Sequence, residues 1–141
     1  MKRAEILEYG SQNQYEGLSP KHDPEVIIFP TPQELDDYAA TQVIEQIQTN
    51  PRSVLILPTG NTPVGMYQRI VRSHRYGIVD LSQAVTFNLD EYHPMPKSHL
   101  NSYVSYMRRN LFDHVNVSAW NIPNGEAPDP KAEADHFQQL L

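Results

Sequence analysis

Along this chain short, continuous apolar runs alternate with stretches in which apolar residues recur at helical spacing. "VIIF", residues 26–29, is closed by Pro30 and has the form of a short strand buried on both faces. "TPQE" then reads as a helix start, with Thr31 as N-cap, Pro32 at the first helical position and Glu34 completing a capping box. Leu35, Tyr38, Ala39, Val43, Ile44 and Ile47 recur at near-helical spacing until Asn50-Pro51 ends the helix. A second buried strand is expected over residues 54–57, followed by a Pro/Gly-rich turn and a helix, "VGMYQRIVRSHRYG", that stops at Gly77. A third strand is bounded at residues 84–89. "SHLNSYVSYMRRNLFDHV" sets Tyr103, Val104, Met107, Leu111 and Val115 on one helical stripe, read as core packing. A segment rich in Pro, Asn and Gly (121–130) leads to a last helix over residues 131–141. The order β-α-β-α-β-α-(α) predicts an α/β domain, a parallel sheet with helices on both faces.

Residues 1–24 break this pattern. They are polar and carry Gly10, Gly17, Pro20 and Pro24, so they read as an N-terminal extension ahead of one domain over residues 25–141. The formal net charge of −6 argues against a nucleic-acid partner, which rewards clustered Lys and Arg. No apolar run approaches the ~18 residues that span a bilayer, so no membrane partner is expected. The start lacks the apolar core of a signal peptide, and the expected location is the cytoplasm. The absence of cysteine removes disulfides, thiolate nucleophiles and cysteine-zinc clusters together.

Ligands of open α/β sheets gather beyond the carboxyl ends of the strands, and two such ends carry unusual residues here. After residues 54–57 comes "PTGNTP". Gly60 lets backbone approach a ligand, the following helix start offers unpaired N–H groups, and Thr59, Asn61 and Thr62 add side-chain donors, an arrangement suited to a phosphate monoester. The same turn is also what any tight strand-to-helix connection needs: a glycine, a threonine cap and Pro63 at the first helical position. It lacks the Gly-Lys-Ser/Thr ending of a P-loop and the spaced glycines of a dinucleotide fingerprint, so a substrate phosphate fits better than a nucleotide. After residues 84–89 comes "DEYHP". Asp90 is expected at the mouth of the same crevice, as a proton-transferring base or as a cap of its own turn. The spacing leaves open whether Glu91 and Tyr92 face the site or the core. His93 and His99 match no metal-ligand spacing, and Pro94 and Pro96 interrupt any shared face, so no metal is expected. Arg108 and Arg109 are read as solvated, with one of them able to reach an anion.

"LPTGNTPVGMY", "VTFNLDEYHPM" and "SYVSYMRRNLFDHVNV" together resemble the glucosamine/galactosamine-6-phosphate isomerase family on its glucosamine-6-phosphate deaminase branch, from about Val26 to the end of the chain. "FNLDEY" behind a "PTGxTP" turn is far more specific than either block alone. The resemblance implies a Rossmann-like sheet and the conversion of glucosamine 6-phosphate and water to fructose 6-phosphate and ammonia, with no cofactor. It implies Thr59, Gly60, Asn61 and Thr62 as the holder of the sugar phosphate and Asp90 as the base for the C2 proton, with Glu91 and Tyr92 as further substrate contacts. Asn61 stands where some family members carry Gly or Ser.

In the family a Gly-x-Gly-x-x-Gly-His-type segment follows the last helix found here and brings the ring-opening histidine. The sequence ends at Leu141 short of it, so the expectation is an incomplete, N-terminal part of a family domain, inactive by itself. A sheet edge left open in that way predicts pairing with the rest of such a domain or with another copy as a homo-oligomer. Two other readings use the same residues: a 6-phosphogluconolactonase-like hydrolase, and a non-catalytic sugar-phosphate-binding domain.

Overall fold

The computed structural model describes residues 26–140, so the polar extension at 1–24 and Leu141 lie outside the described residues. The chain divides into two compact units between Leu35 and Asp36. Of the first unit residues 26–35 are described. The strand expected at 26–29 is reduced to a single bridged residue, Ile27, because exposed and half-buried positions alternate where burial on both sides was expected. Thr31 does cap the helix that follows: its Oγ1 accepts from Glu34 N at 3.3 Å. That helix, α1, runs Pro32–Thr49.

In the second unit the order continues β1 (Val54–Ile56), α2 (Val64–Arg75), β2 (Val85–Phe87), α3 (Tyr103–Asn110), a 3-10 turn (Phe112–His114), β3 (Ala119–Asn121) and α4 (Pro130–Gln138). The sheet is parallel with strand order β1-β2-β3. Helix α2 ends as its sequence predicts. Gly77 takes a φ of +69°, Gly77 N bonds His74 O and Ile78 N bonds Ser73 O, closing the paired bonds of a Schellman cap. The helix expected across residues 98–115 is shorter, because Leu111 leaves helical geometry at φ −144°. Tyr103 also leaves the core stripe: its ring lies 4.9 Å from that of Tyr92. The last helix starts one residue early, with Asp129 Oδ1 accepting from Lys131 N and Ala132 N.

The core gathers Ala40 and Ile47 of α1, Leu57, Tyr67, Ile70 and Val71 of α2, and Met107 and Leu111 around α3. Each buried aliphatic of this kind contributes about 1.5–3 kcal/mol. Successive residues of a strand point to opposite faces, and the register pairs Leu55 with Thr86 and Ile56 with Phe87. The core therefore lies on the Leu55, Leu57 and Thr86 face. On the other face Phe87 meets Phe137 of α4 edge-on at 5.9 Å. Helix α4 covers β2 there but leaves β1 open, so Val54 is 63% and Ile56 56% exposed where a fully buried strand was expected. No helix among the described residues is long and apolar enough to cross a membrane.

Candidate functional site

Beyond Ile56 and Phe87 the ladder continues in side-chain and backbone bonds. Leu57 N donates to Phe87 O at 2.8 Å and Asn88 Nδ2 to Leu57 O at 2.7 Å, while Asn88 N donates to Asn121 O at 2.9 Å. Asn88 is only 1% exposed and its Oδ1 has no partner among the described residues, while its side-chain and backbone N–H groups tie all three strand ends together. The Thr59–Thr62 turn and Asp90 thus follow two adjacent parallel strands and leave the same end of the sheet.

The turn is held by its carbonyls. Tyr67 of α2 donates its hydroxyl to Pro58 O, and Tyr106 of α3 donates its hydroxyl to Gly60 O. Burial raises the pKa of both phenols, most strongly for Tyr67, so both stay neutral donors. Gly60 has φ +101°, a region that side chains disfavour. Among the described residues no acceptor is found for the amides of Thr59, Gly60, Asn61 and Thr62. Thr62 does not cap α2: Pro63 occupies the N-cap position and no side chain bonds the helix start. The threonine-cap reading of this turn is thereby corrected: Val64 N donates to Asn61 O at 3.4 Å, and no side chain takes the next amides of the helix start.

The acid loop is held differently. Asp90 is exposed. Glu91 Oε1 accepts from Tyr92 N and Tyr103 N, both at 2.9 Å, and its Oε2 accepts from Val104 N at 3.1 Å. Tyr103 and Val104 open α3, so Glu91 caps a helix twelve residues on. Tyr92 is exposed, its hydroxyl lies 3.3 Å from that of Tyr103, and the hydrogen bond between them is the main cause that raises its pKa. A second loop closes over the far side: His93 Nε2 lies 2.8 Å from Ala127 O, Met95 N donates to Gly125 O at 2.7 Å, and Lys97 N to Glu126 Oε2 at 3.2 Å. The packing is tight enough that a Cβ on Gly125 would stand 2.5 Å from Tyr92 O. His99 Nδ1 accepts from Asn101 N, and Arg108 and Arg109 pair with Asp113 and with Leu100 O.

A cavity of about 360 Å³ opens between the two loops and α4, with Asp90, Glu91 and His93 on one wall, Asn124 and Gly125 on another and Phe137 beneath. Asp90 is thus set between this cavity and the turn, but Thr59, Gly60, Asn61 and Thr62 do not line the cavity itself. One crevice shared by all five residues was expected. What forms is a row of strand ends with the turn on one side of Asp90 and the hollow on the other. Tyr67, Tyr106, Asn88 and Gly125 are supports of these segments that sequence reasoning missed. Tyr67, Asn88 and Tyr106 lie within "LPTGNTPVGMY", "VTFNLDEYHPM" and "SYVSYMRRNLFDHVNV", whereas Gly125 carried no signal.

Chemically, a row of free amides at a helix start binds an oxyanion, and an uncommitted carboxylate beside it can take a proton. No family model matches the chain. It is similar to glucosamine-6-phosphate deaminase from Alkaliphilus oremlandii (strain OhILAs), 47% identical over 105 residues that make up 73% of this chain and 44% of that protein. It is also similar to the deaminase of the same name from Halothermothrix orenii, 40% identical over 82% of this chain and 49% of that protein. The chain spans about half the length of the curated relatives it matches. A solved monomeric glucosamine-6-phosphate deaminase of the NagB superfamily superposes with a TM-score of 0.76 at 38% identity, over 78% of this chain and 46% of that one. A 6-phosphogluconolactonase from Shewanella baltica OS155 shares the fold alone, with a TM-score of 0.63 at 18% identity, over 80% of this chain and 48% of that one.

Proposed function

Because the chain belongs to the glucosamine-6-phosphate deaminase family and carries about half a relative's length, we propose that it supplies the phosphate grip and the carbon base of such a deaminase. Thr59, Gly60, Asn61 and Thr62 hold the 6-phosphate through their amides and hydroxyls, with the start of α2 adding its positive end. Asp90 takes the proton from C2 of the ring-opened amino sugar. The C2 electrons then form an enolamine, a proton is delivered at C1, and water replaces nitrogen at C2 to leave a ketose phosphate and ammonia. The anchored phosphate is remote from the reacting carbon, so its binding energy orients C2 toward the base.

One observation carries this reading: of two adjacent acids at the end of β2, Glu91 has both oxygens occupied by helix amides, while Asp90 stands exposed next to a turn of unoccupied donors. By itself the 141-residue chain binds sugar phosphate and releases no ammonia at a useful rate, since one carboxylate does not open a pyranose ring. An isotope-edited NMR titration with glucosamine 6-phosphate, paired with an ammonia assay, tests both halves. Shifts confined to residues 59–66 and 88–92 are expected. Rapid ammonia release, or no shifts at the turn, refutes the proposal. A lactone hydrolase on the same fold would bind phosphate at the turn but leave the C2 proton unexchanged in heavy water. The cytoplasm is the proposed location, and the open Val54 and Ile56 face is a surface for further chain or for another copy.

A further inference from the structure

The first turn of a helix leaves four amides without partners inside it. In α3 all four are accounted for. Glu91 takes Tyr103 N and Val104 N, Ser102 Oγ accepts from Ser105 N, and Ser102 N donates to His99 O, after which Tyr106 N to Ser102 O is the first bond within the helix. The residue that makes the first bond within the helix is Tyr106, whose hydroxyl holds Gly60 O across a sequence separation of 46. A continuous line of bonds therefore joins the peptide that carries Asp90 to the turn after β1: Glu91 carboxylate, helix start, Tyr106, Gly60.

We propose that Glu91 is a positioning residue, whose carboxylate fixes the distance between the base-bearing loop and the phosphate turn by way of the first turn of α3. This deepens the reading of the site given above and rests on it. Glu91 is poorly suited to touch substrate, because three amides already occupy its two oxygens. It also has little freedom to swing away, since a Cβ on Gly125 would lie 3.0 Å from Glu91 Cγ. In a hexose 6-phosphate the span from phosphorus to C2 is set by the substrate. An enzyme that anchors one end and reacts at the other must hold its two protein elements to the same span, and a shift of ~1 Å costs about 100-fold in rate. Neither strand end can do this alone, since Thr59 and Asp90 lie past the last ladder pair.

The test uses the 141-residue chain and needs no ligand. Backbone NMR order parameters are measured for wild type, Glu91→Gln, Tyr106→Phe and the double variant. Glutamine keeps one acceptor oxygen but presents an N–H₂ to the second helix amide. In wild type the amides of Gly60 and Asn61 should be as rigid as secondary structure, near ~0.85, and in both single variants they should fall below ~0.6. The double variant should be no looser at Gly60 than the worse single, because both break one line of bonds. Slow exchange of the Thr86 and Met107 amides monitors the core. Loosening that stays at residues 91–104 while Gly60 remains rigid overturns the proposal, as does an additive double variant. If Glu91→Gln loses core protection, Tyr106→Phe decides, since it removes a single hydroxyl and leaves the cap intact; an unchanged Gly60 then overturns the link. Titration with glucosamine 6-phosphate is the second arm: Tyr106→Phe should weaken binding about 3- to 10-fold. A wild-type chain that binds none would refute the proposed function, while the order parameters would still decide the role of Glu91.

Discussion

The turn after β1 and the loop after β2 leave the same end of the sheet, one strand apart, and the chain fastens them in opposite ways. The turn is tied by its acceptors: Tyr67 and Tyr106 take the carbonyls of Pro58 and Gly60, and the amides between them stay unoccupied. The loop is tied by donors, from α3 to Glu91 and from its own Met95 and Lys97 to residues 125 and 126, while the carboxylate of Asp90 stays exposed. In both segments the groups the chemistry would use are left out of these bonds. A row of N–H donors is reserved on one side and a carboxylate on the other, which is the pairing that an anchored phosphate and a removable proton require.

The largest effect should come from removing the reserved carboxylate. Asp90→Asn should slow exchange of the C2 proton of glucosamine 6-phosphate with heavy water about 10²–10⁴-fold, measured on the spontaneously opened fraction of the sugar. Binding of the phosphate should change less than about 2-fold, since the turn is untouched. Loss of binding together with exchange would collapse the distinction between the two segments. Next in size is Gly125→Ala. The added methyl would meet the carbonyls of Tyr92 and Met95 at 2.5 and 2.8 Å, both rigid backbone. Displacing them should cost up to about 3 kcal/mol, read as a lower melting temperature, with the acid loop rather than the turn shifting in NMR spectra.

Gly60→Ala probes the other side and should cost about 1–2 kcal/mol, because φ +101° is disfavoured for any residue with a Cβ even though the methyl itself would meet nothing within 4 Å. Here strain rather than collision is the cause, so the turn should relax to another conformation and phosphate affinity should fall several-fold while Asp90 keeps its surroundings. An affinity equal to wild type would mean that the turn's geometry is not what binds.

Both segments were visible in the sequence as chemistry and only partly as structure. "PTGNTP" and "DEYHP" stand out locally, because a glycine needing positive φ and paired acids after an apolar run are signals within a few residues. The supports were hidden because their partners are distant: Glu91 reaches twelve residues ahead and Tyr106 forty-six back. Spacing alone therefore left Glu91 open between core and site, and read the helix carrying Tyr106 only as a packing stripe. Helix ends, such as Thr31 before α1 and Gly77 after α2, were legible since caps are local. Strands were less so. β3 is three residues, Ala119–Asn121, with little β-propensity, and its place is set by pairing with β2 and by stacking of Trp120 on Phe112 at 5.3 Å. Residues 26–29 had the propensity and did not form a strand. Apolar character was readable at Val54 and Ile56, but what covers a side chain is a property of the whole fold, and those two remain open.

The smallest effect is one of pH, and it separates the two segments without mutation. The hydroxyls of Tyr67 and Tyr106 hold the turn only while protonated, and burial raises both pKa values above the ordinary ~10. A group whose folded-state pKa is raised contributes stability that is complete below its unfolded value and is lost as pH climbs through the folded one. The turn should therefore hold its conformation up to about pH 10 and loosen above it, as phenolate forms and can no longer donate to Pro58 O and Gly60 O. The start of α3 is held by Glu91 and Ser102 and by no phenol, so it should persist. Phenolate absorbance followed from neutral pH upward, beside the NMR signals of Gly60 and Val104, checks both statements. Gly60 should move with the late-titrating tyrosines and Val104 should not. Tyr106→Phe should abolish its share of the Gly60 movement, leaving only what Tyr67 contributes through Pro58. If Val104 moves in step with Gly60, the two segments melt as one body and the opposition between them fails.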